Sequence, residues 1–134
     1  MAIDYPRAFA AYKVSAEGGD DTSLYMLGYM YEHGLGVPQD LKQARAWYEK
    51  AAAQDEPYAV GQLGVLYANG KGVTPSYRRA REYYKRAIQL GNSKAPENMD
   101  KLTMLNIQQV IVSPKVHVFH SLVHPFVTTC RSPP

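Results

Sequence analysis

Three histidines, His117, His120 and His124, stand at spacings of three and four, which on a helix would gather them on one face as a zinc ligand set. Cys130 follows them, a thiol that one of these histidines could serve as base. Two glycine-rich stretches, Gly34-Leu35-Gly36 and Gly70-Lys71-Gly72, invite comparison with loops that cradle phosphate. Each chemistry lacks something it needs. Segment 116–119 is β-prone, Pro114 and Pro125 bracket the histidines, and no carboxylate follows Asp100. Nothing in the order of elements sets a base beside Cys130. The glycine stretches follow helical patterns rather than strands, so they read as helix caps. No metal, other cofactor or catalytic residue is expected, and the chain reads as a non-enzyme.

Composition narrows the partners. The 134 residues carry 15 Lys+Arg against 12 Asp+Glu, a net charge of +3. A sequence pI near 8.9 would ordinarily raise nucleic acid as a partner. However, residues 1–100 hold 12 acidic and 12 basic side chains, so the excess comes from the last 34. No nucleic acid is therefore expected. Split at residue 56, the first part has 5 basic and 9 acidic residues and the rest has 10 and 3. Such polarity would orient a partner, or a second copy, end to end. A lone cysteine excludes an intrachain disulfide, and no apolar run approaches the ~18 residues that cross a bilayer. The first residues lack the apolar block of a signal peptide. The expectation is a soluble protein in a reducing, cytoplasmic compartment with no membrane insertion.

The elements that position side chains come from a repeat. Shifting residues 20–55 by 36 onto 56–91 gives ten identities. Chance would give about two, so duplication is the better account. The identities include Leu27/Leu63, Gly28/Gly64, Tyr31/Tyr67, Gly34/Gly70, Gly36/Gly72, Ala44/Ala80 and Tyr48/Tyr84. Each unit reads as helix, turn, helix. Ser23, Leu27, Met30 and Tyr31 recur at helical spacing. Gly28 interrupts that face, which lets a neighbouring helix approach closely. Gly34 and Gly36 stop the helix, Pro38 delays the next, and Asp40 N-caps it with Gln43 three residues on. Ala44, Trp47, Tyr48, Ala51 and Ala52 pack the second helix.

The pattern extends outwards in halves. Residues 4–19 match a second helix alone, 20–55 and 56–91 are full repeats, and 92–102 read as a closing first helix capped by Asn92 or Ser93. Residues 103–134 leave the pattern, with a strand-like stretch at 107–112. That tail caps the solenoid, or is mobile and unpaired, or marks a fragment or altered reading of a longer array.

These motifs resemble the Sel-1-like repeat family, relatives of the tetratricopeptide repeats. The first unit carries the family's pattern as Leu27-Gly28, Tyr31, Gly34, Gly36-Val37, Ala44, Trp47-Tyr48 and Ala51-Ala52. In the second, Tyr83 and Ile88 replace the Trp and the last Ala. The resemblance implies an all-α, right-handed solenoid of antiparallel helix pairs that acts as an adaptor or scaffold. A cysteine-rich branch is linked to β-lactam chemistry, but its disulfides are absent here and that function does not carry over.

A helical wheel puts Tyr25, Tyr29, Glu32 and His33 opposite Leu27, with Tyr58, Val65 and Asn69 in the next unit and Lys94, Glu97 and Lys101 on the closing helix. In the related fold that face lines a concave groove, so these residues are the candidate site for a protein or peptide. Alternatives are an inhibitor or immunity-type protein that occludes an enzyme, and a hydrolase with its site in the groove. On the convex side Arg78, Arg81 and Lys85 form a basic patch for an acidic partner. The competing account is a solvated face, with Glu82 at helical spacing from Lys85 and Arg86.

Overall fold

Short polar side chains recur every 36 residues in this chain, and each starts a helix. Asp4, Asp40 and Ser76 form one series; Asp20, Glu56 and Asn92 form the other. In the computed structural model, which describes residues 2–112, they open six helices. These are α1 (Tyr5–Glu17), α2 (Asp21–His33), α3 (Leu41–Ala52), α4 (Pro57–Asn69), α5 (Tyr77–Gln89) and α6 (Ala95–Val112). There is no strand among the described residues. Asp4 accepts from the Arg7 N–H at 3.1 Å, Asp40 from those of Lys42 and Gln43 at 3.1 Å, and Ser76 from Arg79 at 3.2 Å. Asp20 accepts from Ser23 at 2.9 Å, Glu56 from Ala59 at 2.6 Å, and the Asn92 side-chain carbonyl from Lys94 at 2.9 Å. The first five each satisfy an N–H that their helix leaves open and contribute about 0.5–2 kcal/mol, whereas Asn92 fixes the turn just ahead of α6, since Lys94 precedes that helix.

Helices stop by the same period. Gly34 and Gly70 end α2 and α4 in the left-handed region, at φ 66° and 65°. The third member of that series is Asn106, and there the helix does not stop: α6 runs to Val112. Residues 107–112, expected to be strand-like, are thus helical, and the closing helix extends past 102. The β-branched residues there weaken a helix only slightly, whereas the missing glycine removes the stop signal. His117, His120, His124 and Cys130 lie outside the described residues.

Residues up to Leu102 form one compact unit. Within it α2 packs on α3 and α4 on α5, while α1 meets α2 and α3 meets α4 to join one repeat to the next. The closest helix contacts rest on glycine. A Cβ built on Gly28 would stand 2.5 Å from the ring of Tyr48, and one on Gly64 would stand 2.5 Å from that of Tyr84. Both rings are buried, as are Leu27, Leu63, Ala44 and Ala80. Among the described residues no helix is long and apolar enough to cross a membrane.

One cap is chemically unlike the rest. Glu56 is buried, and desolvation holds its carboxyl above the ordinary value; the Ala59 and Tyr58 N–H groups pull it down, and Asp21 adds to the rise. A carboxyl raised on folding favours the native state below its unfolded value near 4.5, and that contribution fades as pH rises. Glu56→Gln keeps the acceptor and removes the buried charge. It therefore melts a few degrees above the parent at about pH 7, and the gap closes by about pH 4. Paired thermal melts check this; a gap that widens on acidification contradicts it.

Candidate protein-binding groove

Tyrosines from two repeats meet on one face because α2 presents Tyr25, Tyr29 and His33 at four-residue spacing and α4 carries Tyr58 in its first turn. Tyr25 is the hub. Its ring centroid lies 6.3 Å from Tyr29, 6.1 Å from Tyr58 and 5.8 Å from the buried Tyr48. Tyr29 in turn stands 4.3 Å from the ring of His33. Burial pushes the Tyr25 hydroxyl up to about 12, with Glu56 the next cause. Tyr25 is half-buried and supports the cluster. Tyr58, at 41 % exposure, and the exposed His33 are offered to solvent, with Tyr29 between them.

Glu32 departs from expectation. Its side chain is 3 % exposed, not free in the groove. It accepts from the Tyr48 hydroxyl at 2.8 Å and from the Gln62 amide at 3.1 Å. The Lys71 ammonium stands 3.6 Å from it, and the imidazole of His33 is 3.8 Å away. One carboxylate thus ties together α2, α3, α4 and the turn after α4. A wheel drawn for α2 alone cannot show this. The missing side chain at Gly28 lets the Tyr48 ring in, and the ring's hydroxyl reaches the carboxylate one turn further on. Sequence reasoning passed over Gln62 and took Lys71 only as the middle of a glycine cap. No local signal marks either, since their partner is tens of residues away.

Other expected groove residues divide. Val65 is half-buried and packs against the core around Tyr67 and Tyr84, so it is a packing residue. Asn69 is exposed and donates to the Val65 carbonyl at 3.1 Å. Glu97 and Lys101 on α6, and Lys94 in the turn just ahead of it, are exposed, one repeat beyond the tyrosines. Lys101 pairs with Glu97 at 2.8 Å and holds its carboxyl below the ordinary value.

The basic residues Arg78, Arg81 and Lys85, expected on the convex side, are exposed. Glu82 pairs with Arg78 at 3.5 Å, one turn before it, and not with Lys85 or Arg86 as the spacing suggested. Arg86 instead reaches back to the preceding repeat boundary. It donates to the Ala52 carbonyl and, at 2.6 Å, to the carboxylate of Asp55. Asp55 sits at φ 59° where the corresponding positions 19 and 91 are glycine. Short polar side chains tolerate that conformation best after glycine.

Against known proteins, the family model described as Sel1 repeat matches residues 22–56 and 57–92. A crystal structure of a Sel1 repeat protein from Oxalobacter formigenes aligns with TM-score 0.72 and 36% identity, over 77% of this chain and 42% of that one. The uropathogenic Escherichia coli protective antigen c5321, with an SLR fold, aligns with TM-score 0.70 and 28% identity over 74% and 21%. Cysteine-rich protein B of Helicobacter pylori gives 0.65 and 27%, over 71% of both chains. An ERAD-associated E3 ubiquitin-protein ligase component of Arabidopsis thaliana, HRD3B, is 39% identical over 46 residues. Its counterpart HRD3 in Candida glabrata is 39% identical over the same length. The matched segment is 34% of this chain but only 8% and 6% of those two relatives.

Proposed function

Because this chain belongs to the Sel1 repeat family, whose helical repeats mediate contact between proteins, we propose that it is a non-enzymatic adaptor that binds a peptide or protein segment across Tyr29, His33 and Tyr58. One observation carries the reading: the half-buried Tyr25 supports the exposed Tyr58 on one side and the half-buried Tyr29, which meets the exposed His33, on the other. Tyrosine gives large contact area at little entropic cost and ends in a polar handle, which is why it is enriched among interface anchors. The resemblance to a ligase component supports an assembly role over catalysis.

Panning a random peptide library against the full chain tests the reading. Peptides enriched on the parent protein are expected to bind a Tyr29→Ala/Tyr58→Ala variant about 10- to 100-fold more weakly, as loss of two anchors implies. Binding to Arg78→Ala, whose exposed side chain pairs with Glu82 and makes no contact with the tyrosine cluster, stays unchanged. If the tyrosine variant keeps full affinity, the groove is not the binding surface. Tyr25 is left intact in this test, since its removal would disturb Tyr48.

A further inference from the structure

We propose that the cleft between α3 and the turn into α5 is a second binding site, which takes a tetrahedral oxyanion of the phosphate type through Arg45 and Arg79. The cleft has a volume of about 520 Å3 and is lined by Arg45, Tyr67, Thr74, Ser76 and Arg79 together with apolar turn residues. It thus brings two guanidinium groups and three hydroxyls to one hollow, and no carboxylate lines it. Both arginines are held with donors to spare. Arg79 donates one N–H to the Tyr67 hydroxyl at 3.2 Å and lies over that ring, 5.4 Å from its centroid. Arg45 directs Nε to Glu49 at 3.5 Å, an exposed pair on one helix that water screens heavily. Each guanidinium has five N–H donors in a fixed fork, so the terminal nitrogens of Arg45 and most of those of Arg79 remain for a ligand. The Ser76 oxygen accepts the Arg79 backbone N–H, which leaves its own proton available.

The repeat provides an internal comparison. Shifted back by 36, the same junction is Phe9, Tyr31, Pro38, Asp40 and Gln43. There Phe9 meets Tyr31 edge-on at 5.5 Å, and Asp40 caps α3. The fold closes that junction with no cation and with an acid where Ser76 stands. Arg45 and Arg79 are therefore not demanded by packing. Two adjacent positive forks suit a dianion, since charge-assisted bonds from arginine to phosphate are the stronger, bidentate kind. A neighbouring hollow shares Arg79 but includes Glu82, which disfavours an anion there. The site is separate from the tyrosine groove and stands or falls independently of it.

Amide correlation spectra of the full chain, titrated with inorganic phosphate and separately with O-phosphoserine at constant ionic strength in chloride, test the assignment. Saturable shifts are expected at Thr74, Ser76 and Arg79. Arg45→Gln weakens binding at least about tenfold, and Arg79→Lys, which keeps charge but loses the fork, several-fold. Arg78→Gln, whose side chain pairs with Glu82 at the surface, leaves it unchanged. Tighter binding of phosphoserine identifies the natural ligand as a phosphorylated side chain, and equal binding identifies free phosphate. Linear, unsaturable shifts, or an equal loss in Arg78→Gln and Arg45→Gln, would show diffuse attraction to a basic surface and overturn the proposal.

Discussion

Gly28→Ala lowers the melting temperature by roughly 10 °C, as does Gly64→Ala, although alanine is the better helix former by about 1 kcal/mol. The sign is the informative part. At an open helix position the exchange stabilises. Here the new methyl stands 2.5 Å from a tyrosine ring that is 0 % exposed in one repeat and 3 % in the other. Neither ring has anywhere to go. Overpacking of this kind costs about 1–3 kcal/mol or more, and two atoms forced so close take the upper part of that range. Subtracting the helix gain leaves about 2 kcal/mol, and each kcal/mol moves the midpoint of a domain this size by about 4–8 °C. Thermal melts followed by circular dichroism give the answer directly. Gly64→Ala combined with Tyr84→Leu falls by less than the sum of the two single variants, because the smaller side chain relieves the clash. A Gly28→Ala protein that melts at or above the parent would mean that the two helices are not locked at this point.

Tyr48→Phe costs about 2 kcal/mol, whereas Tyr84→Phe, the corresponding change one repeat later, costs less than about 1 kcal/mol. The rings occupy the same place in their repeats and differ in what the hydroxyl meets. That of Tyr48 donates to the Glu32 carboxylate at 2.8 Å, and Glu32 is buried. Burial and the adjacent negative charge together push the Tyr48 hydroxyl far above its ordinary pKa. The position equivalent to Glu32 is Ala68, so Tyr84 has no acid there; burial alone raises its hydroxyl, to about 12. Phenylalanine at 48 leaves a carboxylate short of a donor in a place water does not replace, the expensive way to lose a hydrogen bond. Denaturant melts of both variants, with Tyr48→Phe/Glu32→Gln completing a cycle, measure the coupling; about 1–2 kcal/mol is expected. Equal costs at the two tyrosines would remove Glu32 from the account.

These two cases mark how far the sequence could be read. Self-comparison made the helices, the Gly28 and Gly64 contacts, the terminating Gly34 and Gly70 and the Asp40 cap legible, because each is a local need that recurs at a fixed interval. Tyr25, Tyr29, Tyr58 and His33 were legible as one face of their helices, and the structure joins them through ring contacts. Glu32 was not legible as a buried group. Its surroundings come from Tyr48, Gln62 and Lys71, and a wheel holds only one helix. The partner of Glu82 was missed for a smaller reason: spacing allowed a turn in either direction, and Arg78 lies in the one not considered. At 107–112 the composition favoured a strand, but the preceding helix had no glycine to end it.

The two series of helix-opening residues keep step with each other as well as with the chain. A 36-residue segment cut from Asp20 to Glu56, or from Asp40 to Ser76, begins and ends on the same hydrogen bond, from the N–H three residues on. Such a segment can be spliced in or out and still meet its neighbours with the contacts they already make. Duplication in whole modules therefore changes how long the protein is without asking for a new kind of joint, whereas the gain or loss of a single residue inside a helix pair throws every later cap out of phase. The architecture is in this sense digital: its length can vary in steps, and selection can adjust individual faces, as at Ala68 and Arg79, while the counting stays fixed.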